Sequence, residues 1–254
     1  MKPMLIVFDL DGTAVEARPD AQPSQRLINT ITKLLSEKPN IHLTCATGRT
    51  FPWAKSVSIP LGLIDPCIVS AGTQIVDPKT GEEIWSKRLT TEAVANSLSV
   101  LIDMKIDNKI LIETDTPDTA KVASQLKPAP YLLLDVQDIK PSQVEEVISR
   151  IKSVADVEIA KVNSPNAGFI NLHVTDRHAT KEHAVEELRN MLGVDLNNSY
   201  GIGDGYNDIH LFNSVGTKIA MGNSVPELKA EADKTIGSLD EDGLAQYLET
   251  FLQN

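Results

Sequence analysis

The fold is decided by a stretch near the N-terminus, Met4-Leu5-Ile6-Val7-Phe8-Asp9-Leu10-Asp11-Gly12-Thr13. Its first half, Met4–Phe8, is an unbroken apolar run, which is typical of a strand buried on both faces of a parallel sheet. Helical and strand-like patterns then alternate along the chain, over residues 23–37, 41–45, 51–58 and 67–70. This alternation predicts an α/β fold, a doubly wound, mostly parallel, Rossmann-like sheet with helices on both faces.

The rhythm changes at a predicted hairpin, Gln74–Trp85, and returns near residue 177. Between these points the spacing predicts helices and short strands of a separate α+β unit: helices Thr91–Met104 and Ser142–Val154, and strands including Lys109–Glu113 and Phe169–Val174. After it come helix His178–Leu192, strand Ser199–Gly203, helix Asn207–Asn213, strand Thr217–Met221 and helix Glu241–Leu252. We therefore predict a core formed by residues 1–82 and 177–254, with an α+β domain inserted over residues 83–176.

Composition excludes several classes of protein. The net charge of −11 leaves no basic surface for nucleic acid, and aromatic residues make up only 4% of the chain. No apolar stretch approaches the roughly 20 residues that span a bilayer, and the N-terminal apolar run is too short for a signal peptide. Cys45 and Cys67 lie in predicted strands, which favours buried thiols over a disulfide. We expect a cytoplasmic protein that binds neither nucleic acid nor membranes.

The residues after the first strand carry polar groups suited to chemistry. Side chains alternate along a strand, so Asp9 and Asp11 point to the same side of the chain. At the carboxyl edge of a parallel sheet they would lie in the crevice where such folds bind ligands. Gly12 permits a sharp turn, and Thr13 offers a hydroxyl and an N–H group to an anion. A loop in which the carboxylates only cap turns is the alternative.

A second group of acidic residues follows a later predicted strand, in Gly203-Asp204-Gly205-Tyr206-Asn207-Asp208. The glycines beside Asp204 suit a tight loop that lets a ligand approach the backbone. Carboxylates from two strand ends are the oxygen ligands that Mg²⁺ prefers. Asn207 and Asp208 could instead serve only to cap the following helix.

Two weaker signals lie elsewhere. Thr47 and Gly48 follow the second strand, on the same predicted sheet edge, although by themselves they fit a plain strand-to-helix turn better. Lys181 could present an ammonium group to the site from the start of a helix, although a lone helical lysine is usually solvated.

Together these segments resemble the haloacid dehalogenase-like superfamily of phosphatases. The ordered motifs are Asp9-x-Asp11-Gly12-Thr13, Thr47 after the second strand, Lys181, and Gly203-Asp204-Gly205-x-Asn207-Asp208. The inserted domain lies between the threonine and lysine motifs, as does the type-IIB (C2B) cap of the Cof-like branch. The resemblance covers the whole chain.

The resemblance implies a role for each matched residue. Asp9 would be the nucleophile and Asp11 the general acid and base, with Thr47 and Lys181 completing the catalytic set. Mg²⁺ would be held by Asp9, Asp204 and the main-chain carbonyl of Asp11, and Asp208 would complete the metal site by orienting waters on the ion. The remaining expected substrate-binding residues are Gly12, Thr13, Gly48, Arg49, Asn207 and Asn223. Arg49 could equally form a structural ion pair.

Two positions depart from the family pattern. Many Cof-like members have Asn-Gly-Ala after the third strand, whereas this chain has Ala71-Gly72-Thr73, so the side chain at position 71 cannot donate a hydrogen bond. The residue after the motif lysine is commonly glycine and here is Glu182.

The implied function is Mg²⁺-dependent hydrolysis of a small phosphorylated metabolite through an aspartyl-phosphate on Asp9, and the expected substrate is a sugar phosphate. Two rivals stay open at this point. One is a phosphomutase or phosphotransferase resembling phosphomannomutase, and the other is a non-catalytic binding protein on the same scaffold.

Overall fold

The computed structural model describes residues 2–106, 110–113, 126 and 131–253. Strand β1 (Met4–Phe8) lies within a five-stranded sheet, between β2 (Ile41–Cys45) and β10 (Ser199–Gly203). The strands β11 (Thr217–Ala220) and β12 (Lys234–Thr235) extend the sheet beyond β10, and every pairing is parallel.

Both faces of this sheet are buried, because alternate side chains of β1 enter different hydrophobic clusters. Ile6 and Phe8 belong to one cluster, together with residues of α1 (Gln25–Glu37) and α8 (Gly243–Leu252). Leu5 and Val7 belong to another, with residues of α5 (Lys181–Leu192) and α6 (Asp208–Asn213). The continuous apolar run is thus explained by helices packed on both sides.

The chain divides into two compact units, and the sheet belongs to the first, which comprises Met1–Trp85 and Lys181–Asn254. The same unit contains α2 (Phe51–Ser58), α7 (Pro226–Glu231) and a small sheet of β3 (Cys67–Val69), β4 (Gln74–Val76) and all but the last residue of β5 (Glu83–Ser86). Cys45 and Cys67 are buried and free, as predicted. No helix in the described parts of the chain combines the length and apolarity needed to cross a bilayer.

The second unit, Ser86–Thr180, has an antiparallel sheet in the order β6-β7-β9-β8. Its elements are β6 (Ile110–Glu113), β7 (Leu133–Ile139), β8 (Val157–Asn163), β9 (Ile170–Asp176), α3 (Thr91–Asp103) and α4 (Pro141–Lys152). The helices and sheet share one hydrophobic cluster. Lys109, predicted to begin a strand, lies outside the described residues.

Several helices differ from their predicted bounds, most of them by one or two residues. The helix predicted from His178 begins at Lys181, because the N–H of His178 is held by the Asp176 carboxylate in a preceding turn. The helix predicted from Glu241 begins at Gly243, since Asp242 has a left-handed conformation with φ +54°. Helix α7 was not predicted: it is only six residues long, too short for a helical repeat to be recognised.

Candidate active site

Three buried carboxylates, those of Asp9, Asp204 and Asp208, converge at the carboxyl ends of β1 and β10. One oxygen of each lies within 4.8 Å of the others. The N–H of Asp9 donates to the carbonyl of Ile202 at 2.9 Å, which fixes Asp9 as a continuation of β1. Asp204 follows Gly203, the last residue of β10. The parallel pairing of the two strands therefore joins motifs that are far apart in sequence.

Lys181 places its ammonium group between two of these carboxylates. Its side chain is only 2% exposed, and Nζ donates to Oδ1 of Asp9 and to Oδ1 of Asp208, each at 2.7 Å. Burial opposes the charged form, but the two carboxylates outweigh it and raise the lysine pKa above its ordinary value. Lys181 is therefore a permanent cation of the cluster, not a solvated helix residue.

Asp208 shapes the loop after β10. Its Oδ2 accepts the backbone N–H groups of Asp204 at 2.9 Å and Gly205 at 3.0 Å. A Cβ atom on Gly203 would lie 2.3 Å from Cγ of Asp208, so this close approach requires glycine. Both oxygens of Asp208 are thus engaged by the chain itself, which suits a positioning role.

Asp204 is held in place by Gly12 and Thr13 of the N-terminal motif. Its Oδ1 accepts the hydroxyl of Thr13 at 3.0 Å. A side chain on Gly12, whose φ is +84°, would place Cβ 2.2 Å from Oδ2 of Asp204. Burial, together with repulsion from Asp208, raises the pKa of Asp204 to about 7, although the Thr13 bond works in the opposite direction.

The cluster formed by Asp9, Asp204, Asp208 and Lys181 has more negative than positive groups. With all three carboxylates ionised, one ammonium group leaves an excess of two negative charges. Burial raises the pKa of Asp9 well above its usual range; Lys181 opposes this, and the neighbouring carboxylates add to it. Among the described residues, none donates to Oδ2 of Asp9 or to Oδ2 of Asp204. Buried, uncompensated oxygen ligands of this kind fit a small divalent cation such as Mg²⁺.

Asp11 has different surroundings from the cluster. Its side chain is 32% exposed and forms a bidentate ion pair with Arg49, with Nε to Oδ2 at 2.9 Å and Nη2 to Oδ1 at 2.5 Å. Nη2 also donates to the carbonyl of Arg18 at 3.0 Å. The Asp11 carboxylate is therefore not one of the three converging groups. The Arg49 side chain, expected at the substrate, is engaged by Asp11.

Thr47 and Gly48 lie in the loop that carries Arg49. The Thr47 hydroxyl is buried and accepts the N–H of Arg49 at 3.1 Å, while the Thr47 carbonyl accepts the N–H of Ala71 at 3.0 Å. Ser70 and Ala71 both have positive φ, at +51° and +61°. Ala71, which stands where many family members have asparagine, therefore has a left-handed backbone conformation that is unfavourable for alanine.

Asn223 and Asn207, both predicted to bind substrate, have structural positions in loops and at a helix end. The amide of Asn223 donates to the carbonyl of Gly12 at 2.8 Å and accepts the N–H of Leu239 at 2.9 Å, so it ties the first motif to a later loop. Asn207 stands at the N-cap of α6 without a side-chain capping bond. Thr13 uses its hydroxyl on Asp204 and its N–H on Leu10.

One supporting residue was missed from the sequence. Ser224 is buried, and its hydroxyl donates to the carbonyl of Gly203 at 3.0 Å, while the N–H of Val225 donates to the carbonyl of Asp204 at 3.0 Å. The position of Ser224 and Val225 in the loop that follows β11 was the available signal. The Glu182 carboxylate accepts a hydrogen bond from the Asn213 amide at 3.1 Å.

The chain is similar to known hydrolases and phosphatases along most of its length. The family model for haloacid dehalogenase-like hydrolases matches residues 6–120 and 108–248. An HMP-PP phosphatase of Serratia proteamaculans is 24% identical, over 98% of this chain and 96% of its own length. The 5-amino-6-(5-phospho-D-ribitylamino)uracil phosphatase of Bacillus subtilis is 24% identical, over 98% of both chains.

The fold agrees with solved structures of the same class. A sugar phosphatase of haloacid dehalogenase subclass IIB superposes with a TM-score of 0.77 at 20% identity, covering 98% of each chain. The predicted family, fold class and enzyme class are thereby confirmed, and the non-catalytic alternative is not supported. The chain belongs to the haloacid dehalogenase-like hydrolase family and is one of its phosphatases.

Proposed function

We propose that this protein hydrolyses a small phosphomonoester with Mg²⁺ and through an aspartyl-phosphate on Asp9. Sugar phosphates are the proposed substrate class. The observation that carries the proposal is the excess of two negative charges among Asp9, Asp204, Asp208 and Lys181. A buried site with this excess is electrostatically incomplete, and a divalent cation completes it.

Asp9 is the best-placed nucleophile in the cluster. Lys181 holds its Oδ1, and Oδ2 accepts no hydrogen bond from the described residues, so one oxygen is oriented while the other is available to attack. A carboxylate attacking a phosphate brings like charges together, and the buried ammonium group of Lys181 lowers that repulsion. A covalent intermediate divides one difficult displacement into two easier ones.

Asp11 would transfer the proton in both steps. In the first, Asp9 forms a bond to phosphorus, the bond to the leaving oxygen breaks, and that oxygen takes the proton of the Asp11 carboxyl group. In the second, water attacks phosphorus and gives a proton to the Asp11 carboxylate, while the bond to Asp9 breaks and phosphate leaves. The partly exposed side chain of Asp11 suits exchange with incoming groups.

The proposed metal ligands are Asp204 through its Oδ2, Asp9 through the carboxylate oxygen that does not attack phosphorus, and the main-chain carbonyl of Asp11. When bound, Mg²⁺ would offset the charge of the phosphoryl group during transfer. Thr13 orients Asp204 through its other oxygen. Asp208 acts by holding Lys181 and the N–H groups at 204 and 205, instead of ligating the metal directly.

Support for the substrate class comes from the relatives, whose names describe phosphatases acting on small phosphorylated compounds. We propose that the second unit, Ser86–Thr180, acts as the cap that selects among them. Within this unit, Asp138 organises the loop 163–168 by accepting from Ser164 and Asn166, at 2.7 and 2.9 Å.

The proposal is tested by measuring phosphate release from a panel of sugar phosphates and nucleotides, with Mg²⁺ or with EDTA. Release without an added acceptor is expected and separates hydrolysis from phosphotransfer. The Asp9→Asn variant should lose activity by at least about 10³-fold, whereas Asp20→Asn, a surface change in the same segment, should keep it. Metal-independent activity, or an active Asp9→Asn enzyme, would show that the assignment is wrong.

A further inference from the structure

Arg49 is connected to the first motif more tightly than its sequence position suggests. Nε and Nη2 of its guanidinium group meet the two oxygens of Asp11, one nitrogen to each oxygen. Nη2 also reaches the carbonyl of Arg18. Two planar groups joined by parallel bonds fix both the position and the rotation of the carboxylate, which a single contact cannot do.

The backbone of Arg49 is fixed as well. Its N–H donates to the Thr47 hydroxyl at 3.1 Å, and its carbonyl accepts the N–H of Ser70 at 2.8 Å. The Arg49 side chain is only 9% exposed, so the guanidinium group is enclosed and anchored at both ends. A side chain held in this way can impose its geometry on Asp11, which is itself 32% exposed.

The third guanidinium nitrogen of Arg49, Nη1, shows why arginine suits this position better than lysine. Nη1 of Arg49 is buried and has no hydrogen-bond partner among the described residues. Leaving a buried donor unpaired is unfavourable. Lysine would supply the charge without this cost, whereas only arginine supplies the planar fork. The arrangement is therefore suited to orienting a carboxylate and not merely to neutralising it.

We infer that Arg49 is a positioning residue that acts through Asp11, orienting its carboxylate to accept a proton from the attacking water. The inference rests on the proposed function, because it assigns Arg49 to the second step of that reaction. In that step Asp11 is a carboxylate, the form that accepts two parallel bonds from a guanidinium group. Arg49 was expected to bind the substrate, whereas in this inference it acts on Asp11, the general base of the enzyme.

The test uses p-nitrophenyl phosphate, whose leaving group departs without needing a proton, so that only the second step depends on Asp11. Arg49→Gln should release about one p-nitrophenolate per active site at nearly the wild-type rate. Steady turnover should then fall by about 10- to 100-fold as phosphorylated Asp9 accumulates. Arg49→Lys should recover only part of that turnover. A purely structural role would not produce this burst of product.

A double-variant comparison separates action through Asp11 from direct contact with the substrate. Arg49→Gln should slow the Asp11→Asn enzyme by no more than about twofold, because the group it acts on is already changed. A further loss of tenfold or more, or a first turnover slowed as much as the steady state, would overturn the inference in favour of a phosphate ligand.

The chain offers a matched control in Arg26, which also forms a bidentate pair in the same unit, with Glu249 at 2.8 and 2.7 Å. Arg26→Gln should leave the first turnover and the steady state unchanged. If wild-type protein with Mg²⁺ shows no hydrolysis, or the Asp9→Asn variant is fully active, the proposed function fails. A wild-type enzyme that depends on Asp9 but gives an Arg49→Gln variant without a burst contradicts only the inference about Arg49.

Discussion

Asp9 and Asp11 are separated by one residue, yet their carboxylates lie in opposite electrostatic surroundings. Asp9 is buried among two further carboxylates, and Lys181 is their shared counter-ion. Asp11 is one-third exposed and has Arg49 to itself. The first region is left with unbalanced charge, whereas the second is balanced by the chain alone.

The difference indicates how the work is divided between neighbouring acids. A region with excess buried charge gains most from a bound cation, because burial prevents water from screening the repulsion. A paired and partly exposed acid can instead exchange protons with incoming groups. We therefore expect different effects from substitutions in the carboxylate cluster and in the Asp11–Arg49 ion pair.

The largest effect is expected from removing the single cation of the cluster. Lys181→Met leaves three buried carboxylates without a counter-charge, and the free energy of unfolding should fall by about 3 to 5 kcal/mol in the metal-free protein. Arg49→Gln should cost only about 1 kcal/mol, since its partner is partly solvated. Urea unfolding of both variants in EDTA measures the contrast, and equal losses would contradict it.

A smaller effect of opposite sign is expected at Asp204. Asp204→Asn removes one uncompensated charge, so the metal-free protein at pH 8 should gain up to about 3 kcal/mol of stability. The same variant should lose the stabilisation that Mg²⁺ gives to the wild type. Thermal melting with and without Mg²⁺ tests both statements, and a destabilised metal-free variant would contradict the assignment of excess charge.

The pH dependence of stability should follow from the same residue. The pKa of Asp204 is about 7 in the folded protein and about 3.9 in an unfolded chain, so between these values the folded state binds more protons. Metal-free stability should therefore fall as pH rises from about 4 to 7 and level off above it. The fall should be smaller in Mg²⁺ and smaller in Asp204→Asn, as measured by urea midpoints at pH 5 and pH 8.

The smallest effect is expected at the turn that supports the loop of Arg49. Ala71 has φ +61°, so Ala71→Gly removes an unfavourable contact and should change stability by about +0.5 kcal/mol. The control Ala230→Gly, in the right-handed helix α7, should instead lose about 1 kcal/mol. Urea unfolding measures both, and phosphatase activity should stay within about twofold. A loss of stability in Ala71→Gly would show that the left-handed turn is unstrained.

Much of the cluster could be predicted from the sequence because it depends on local order. The motifs at Asp9 and Asp204 each follow an apolar strand, and parallel pairing makes strand ends meet at one edge. Lys181 could be placed only by resemblance, since a lone lysine on a helix has no pattern that indicates burial. The central sheet was predictable for the same reason as the motifs, through its continuous apolar runs.

The pairing of Asp11 with Arg49 could not be predicted, because it depends on which way two long side chains turn. Period-two alternation placed Asp9 and Asp11 on the same side but carried no information about their partners. The left-handed turn at Ser70 and Ala71 was also hidden, since neither residue favours positive φ. In both cases tertiary contacts determine the conformation.

The central position of β1 has a consequence for synthesis of the protein. Its partner β10 lies about 190 residues later in the chain, so at 5 to 20 residues per second it emerges from the ribosome roughly 10 to 40 seconds after β1. The continuous segment Ser86–Thr180 is complete before that time. We therefore expect the inserted unit to fold first, while one edge of β1 waits unpaired, a period in which chaperones would have the greatest access to the nascent chain.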